Sequence, residues 1–257
     1  MRSLWTGSIS FGLVNIPIKL YSAVESSGID LDMLDKKDNS NIHFKRVNEK
    51  TGKEVTWENI VKGYKIDNQY VILTDEDFKK ASPEKTKTID INEFVEIDEV
   101  PPIYYDASYY IEPEKNGGKA YVLLRDALTK SKKAALGTFV LRNKENLCVI
   151  SPSEKILVLH KIRYAAEIRS TEDIKVTEAK VSAAEIQMAT KLIDQLTGKF
   201  NIEKYKDTYT DTLMKFIKAK AKGKKFTAPK LRIAHSASKD LMEELKASLT
   251  HVKKKAS

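Results

Sequence analysis

The chain has one cysteine, Cys148, in 257 residues, so no disulfide can form within it and no cysteine cluster can hold zinc. Histidine is nearly as scarce. His43, His160, His235 and His251 stand at no spacing that would set two imidazoles on one metal, and neither metal nor cofactor is expected. No apolar run approaches the roughly 20 residues that a membrane-spanning helix requires. The opening Met1-Arg2-Ser3-Leu4-Trp5 lacks the apolar core of a secretory leader, so a cytoplasmic protein with no membrane partner is expected. P-loop, nucleophile-elbow and HExxH patterns are also missing, which excludes the commonest nucleotide-binding and hydrolase sites.

What the chain has in excess is positive charge. Lys and Arg number 45 against 36 Asp and Glu, a net charge of +9, while 41% of the residues are hydrophobic, enough for a packed core. The charge is segregated. Residues 41–65 are net +3, 66–118 net −8, 119–163 net +7, 201–222 net +3 and 223–257 net +6. Two basic blocks around an acidic one describe a bipolar body, with one surface that attracts phosphate and another that repels it. Any single run of like charge is as readily a solvated face.

The first half reads as short strands, because β-branched and aromatic residues alternate with polar ones between turn residues. Residues 9–23 carry two such runs, with Gly12 and Pro17 marking a bulge or an edge. Residues 42–47 and 55–57 flank the turn Asn48–Gly52 and predict a hairpin. Further strands are predicted over 70–73, 88–97, 103–111, 134–141, 147–150 and 156–164, the pair 134–141 and 147–150 joined by a turn at residues 143–146. Thr74 is placed to cap a short helix through the amide of Asp77, and residues 119–129 read as a second helix. Many short strands with non-local pairing point to a β-barrel.

Beyond residue 172 the period becomes helical. Ser182 and Glu185 form a capping box before the apolar stripe Ile186, Ala189, Leu192, Ile193 and Leu196, which stops at Gly198. A helix from about Tyr205 puts Tyr209, Leu213, Phe216 and Ile217 on one face before Gly223. Residues 223–238 read as a basic linker. A last helix over 239–250 gathers Leu241, Met242, Leu245 and Leu249 on an apolar edge suited to a partner or to folding back on the body.

Several stretches resemble one family in its order: residues 5–21 (WTGSISFGLVNIPIKLY), 61–64 (VKGY), 109–113 (YYIEP), 119–128 (KAYVLLRDAL), 205–209 (YKDTY) and 240–249 (DLMEELKASL). The family is bacterial Ku, and the resemblance spans essentially the whole chain. It implies a mainly β protein with α appendages. The parts would be a barrel core over 1–172 with a hairpin bridge near 42–62, a helical dimerisation arm over 173–222, and a ligase-contacting tail over 223–257. It further implies a homodimeric, non-enzymatic ring that binds double-stranded DNA ends and brings an ATP-dependent repair ligase to them. In longer relatives a Lys-rich tail extends the chain, whereas here only residues 251–257 follow the last helix, which puts tail-driven DNA binding in doubt.

The candidate DNA contacts are Lys45, Arg46, Lys50, Lys53 and Lys62 on the bridge, then Lys130, Lys132, Lys133, Arg142 and Lys144 in the second block. The arm would dock through Leu192, Leu196, Tyr209, Leu213, Phe216 and Ile217, and the ligase through Leu241, Met242, Leu245 and Leu249. Three other functions compete. Asp75, Glu76 and Asp77 could hold Mg²⁺ in a nuclease site, although a capped helix start explains them more simply. A lysine could form a Schiff base at abasic DNA. Tyr104, Tyr105, Tyr109 and Tyr110 could stack single strands, although a barrel wall suits them better.

Overall fold

The computed structural model describes residues 1–81, 87–224 and 241–255. These form two compact units, the first of residues 1–27 and 32–171, the second of residues 28–31 and 172–257.

The first unit is built on a closed barrel. Its strands are β1 (Trp5–Phe11), β2 (Val14–Ser22), β5 (Thr88–Glu96), β6 (Tyr105–Pro113), β7 (Lys133–Leu141), β8 (Lys144–Ser153) and β9 (Ile156–Ile162), with β3 (Lys62–Ile66) and β4 (Gln69–Leu73) lying outside it. Around the barrel the order is β1-β2-β6-β9-β8-β7-β5, and only the closing pair β1–β5 is parallel. Mainly β structure with helical appendages is thus what the alternation predicted. Two-residue turns tighten it. Gly12 takes φ 57° between β1 and β2, and Arg142 and Asn143 take φ 53° and 67° between β7 and β8, as a hairpin turn that follows strand twist requires. Pro17 lies one residue outside the β2–β6 pairing, which begins at Ile18 opposite Pro113, so its missing N–H breaks no rung there.

Alternate side chains fill the interior. Ile9, Ile16, Ile18, Leu20, Ile89, Ile111, Phe139, Cys148, Ile150, Leu157 and Leu159 are almost fully buried in one cluster. Helix α2 (Gly118–Ser131) leaves β6 and feeds β7, and it closes that end of the barrel with Tyr121, Leu124 and Leu128. Val122 and Leu123, apolar in sequence, stay exposed because the helix turns only one face inward. A second cluster forms on the outer wall, where Ala134, Val149 and Ile162 pack with Val100, Tyr104 and Tyr105. Of the four tyrosines, Tyr109 packs against the inner cluster and Tyr104 and Tyr105 against the outer one, while Tyr110 is exposed.

Outside the barrel, β3 (Lys62–Ile66) and β4 (Gln69–Leu73) form a two-stranded hairpin whose turn residues Asp67 and Asn68 take φ 44° and 67°. Helix α1 (Asp75–Ala81) follows, capped as expected: the Asp77 amide donates to Thr74 Oγ1 at 3.3 Å, and the Thr74 amide donates to the Asp77 carboxylate at 2.9 Å. The Thr74 amide, and after it the Thr74 hydroxyl that donates to the same carboxylate at 2.7 Å, hold Asp77 below the usual carboxylate pKa.

In the second unit α3 (Ala183–Leu196) begins with the predicted capping box, the Glu185 amide donating to Ser182 Oγ. It ends on an extended Thr197, one residue before Gly198. Helix α4 (Thr208–Ala221) starts three residues later than Tyr205 because Asp207 is its N-cap, and Gly223 with φ 66° terminates it. Helix α5 (Leu241–Lys255) packs against α3. It runs through residues 251–255, which the sequence placed beyond its end. The predicted linker falls mostly outside the described residues. No helix among the described residues is long and apolar enough to cross a membrane.

Candidate nucleic-acid interface

Residues 45–53 form one basic loop. Asn48 Oδ1 accepts from the amides of Lys50 and Thr51, both at 3.0 Å, and Gly52 takes φ 66° to return the chain. The predicted turn is therefore present, but the strands beside it are not. Pairing is confined to the bridge Val47–Glu54, with the Val55 amide on Arg46 O at 2.8 Å, because Trp57–Asn59 coils into a short 3₁₀ turn instead of extending. The regular hairpin is the next one along, β3–β4.

Four candidate cations share this loop, and their surroundings differ. Lys45 pairs with Glu54 at 2.5 Å, and that hydrogen bond raises its pKa. The Arg46 guanidinium lies over the Trp57 ring, 4.4 Å from its centroid, a cation–π contact. Lys50 and Lys53 are exposed. Lys62, at the start of β3, sits over Phe78 at 4.6 Å.

The second block does not form one patch. Lys130, Lys132 and Lys133 gather where α2 meets β7; Lys132 caps the helix with φ 58°, and Lys133 lies 3.7 Å from Glu96. Arg142 and Lys144 sit at the other end of β7. At about 3.3 Å per residue, that nine-residue strand puts the two groups roughly 27 Å apart. Counting charge by segment missed this, since a strand carries the chain from one end of a barrel to the other.

At the end opposite α2, the structure adds cations that the sequence reading passed over. Cys148 on β8 and Leu159 on β9 face inward, and the same parity continues to Lys144, Asn146, Lys161 and Arg163 at the barrel mouth. Lys161 and Arg163 reach Asp106 at 2.6 and 3.0 Å, and the Lys161 hydrogen bond is the main reason the Asp106 pKa is lowered. Arg163 also donates to the carbonyls of Ile103 and Tyr105, which fixes the start of β6. A pocket of about 140 Å³ opens between Asp106, Lys144, Asn146, Lys161, Arg163 and Tyr164. The signal in sequence was the alternation His160-Lys161-Ile162-Arg163, which places two cations on one strand face.

In the second unit, α5 lies on the flank of α3 formed by Glu185, Met188, Ala189 and Leu192, all half-buried, while Ile186, Ile193 and Leu196 remain exposed. Leu213 and Ile217 on α4 are half-buried, whereas Tyr209 and Phe216 are exposed. Met242 and Leu245 are half-buried on α5, whose helix also includes Leu241 and Leu249.

A closed barrel capped by one helix, with a basic loop and an exposed hairpin set outside it, defines the class, and comparison with known proteins gives it a family. Residues 10–188 match the family model described as the Ku70/Ku80 beta-barrel domain. A Non-homologous end joining protein Ku of Opitutus terrae is 42% identical over 97% of this chain and 91% of its own. One of Archaeoglobus fulgidus is 40% identical over 98% and 100%, and one of Pseudomonas aeruginosa is 40% identical over 86% and 77%. The chain belongs to the Ku family of non-homologous end joining proteins. The relatives carry the name of an end-joining factor, not that of an enzyme.

Proposed function

We propose that two copies of this chain form a ring that threads onto double-stranded DNA ends without reading sequence and brings a repair ligase to them. The observation that carries this reading is the match, over nearly the whole chain, to proteins named for non-homologous end joining. The β3–β4 hairpin supports the dimer. A two-stranded sheet is marginal alone in water, yet Tyr64, Ile66, Tyr70, Val71 and Ile72 expose apolar surface on both of its faces, Tyr70 at 71%. A second copy would cover them. The exposed apolar residues on α3 and α4 support an arm that embraces the partner.

Duplex DNA carries about one charge per 1.7 Å, and loop cations that release its counterions gain affinity without base contacts. Lys45, Arg46, Lys50, Lys53 and Lys62 would supply part of this lining, together with Arg142, Lys144 and Lys161 at the mouth. Helix α5 would receive the ATP-dependent ligase through Met242 and Leu245, so the ligase has to take that edge from α3. Such a protein acts at the nucleoid.

Topological trapping tests the ring. Protein loaded on linear duplex that is then sealed into a circle should stay bound at a salt concentration that strips it from linear DNA, and leave when the circle is cut. Equal loss from sealed and cut DNA rules out threading.

A further inference from the structure

Helix α4 carries a charge pattern that the barrel and its loop do not explain. Between Thr212 and Lys224 stand Lys215, Lys218, Lys220, Lys222 and Lys224, and not one carboxylate. All five are exposed, and none takes part in an ion pair found among the described residues. At 3.6 residues per turn, Lys215, Lys218 and Lys222 fall within an arc of about 60°, on the side away from the half-buried Leu213 and Ile217. Lys220 lies roughly 140° around the helix from Lys215, and Lys224 follows Gly223, past the end of the helix.

Cations three and four residues apart repel one another along a helix. The helix dipole compensates Lys218 and Lys220 in the last turn but not Lys215. Helix α3, of the same length, instead mixes the two signs in Glu185, Lys191 and Asp194. An unbalanced ridge is relieved by a polyanion.

We propose that Lys215, Lys218 and Lys222 form a phosphate-backbone contact on double-stranded nucleic acid, separate from the basic loop and the barrel ends. An anionic lipid surface fits less well, because the apolar side of α4 is already half-covered at Leu213 and Ile217 and interrupted by Lys220. The proposal rests on the DNA-binding reading for its ligand but names a different element.

The test is the salt dependence of linear-duplex binding by the full-length protein and by Lys215→Gln/Lys218→Gln/Lys222→Gln. Glutamine keeps nearly the same helix propensity, and matched thermal melts verify the fold. Loss of three phosphate contacts should make the slope of log K against log salt shallower by about 2.7. The control Lys220→Gln/Lys224→Gln should change it by less than about 1. An unchanged slope in the triple variant overturns the proposal, as does an equal change in the control. Binding to phosphatidylserine vesicles that disappears in the triple variant, with duplex binding unaltered, overturns it in favour of a membrane. If the protein grips sealed circles as well as linear DNA, ring threading fails while the slope comparison still decides the ridge.

Discussion

The Tyr121 hydroxyl donates to the Ile111 carbonyl at 2.8 Å and accepts from the Leu157 amide at 2.7 Å, so one side chain of α2 holds β6 and β9 together at the closed end of the barrel. Burial raises its pKa, which keeps the donor protonated. Tyr121→Phe leaves both backbone groups without this partner and should cost about 1–3 kcal/mol. A lower urea midpoint at unchanged m-value is the expected result. An unaltered midpoint would show that apolar packing alone seats the helix.

Gly137 predicts a sharper effect. A Cβ there would lie 2.3 Å from the carbonyl oxygen of Asp90, where β5 bulges between Ile91 and Glu93. Backbone cannot yield as a side chain does. Gly137→Ala should therefore destabilise the barrel by about 1–3 kcal/mol, read as a fall in Tm. Gly198→Ala, with open space around its Cβ, should leave Tm nearly unchanged.

His160 makes stability depend on pH. It is half-buried on the outer wall, its Nδ1 2.9 Å from Ser108 Oγ and its ring edge-on to Tyr105, and burial lowers its pKa from the ordinary 6.5. The unfolded chain therefore takes up the proton first on acidification. The stability this group contributes is complete above about pH 6.5 and is lost as pH falls from there through the folded-state value. Asp106, also lowered, loses its contribution only below its ordinary 3.8. Urea midpoints between about pH 6.5 and 5 should fall in the wild type and flatten in His160→Gln. Equal slopes would acquit His160.

The two basic groups on β7 should act independently. Lys132→Glu/Lys133→Glu and Arg142→Glu/Lys144→Glu alter sites too far apart to couple, so their effects on linear-duplex binding should add to within about 0.5 kcal/mol. Binding titrations of both pairs and the quadruple variant check this. A coupling well beyond that bound would mean that the two groups share one contact.

The barrel was legible because alternation survives wherever one strand face is buried, as from Ile156 to Ile162. Turns were legible only where residue type matches conformation. Asn48 and Gly52 announced theirs, but Arg142 takes a positive φ that arginine does not advertise, and the β7–β8 turn was placed one residue late and two residues too long. The β3 strand was missed because Gly63 and two lysines hide its pattern. In the candidate site the loop cations were visible as a run, whereas Lys161 and Arg163 emerge only when β9 is set beside β8. On α3, the buried flank runs through Met188, which the apolar stripe omitted, because α5 and not the stripe's centre decides which side is covered.

Competition between linear duplex and covalently closed circular duplex of the same sequence tests threading most directly. A ring predicts binding to the linear form alone, regained by the circle after a single double-strand cut. Equal affinity for the two forms would contradict it, whatever the lysines contribute.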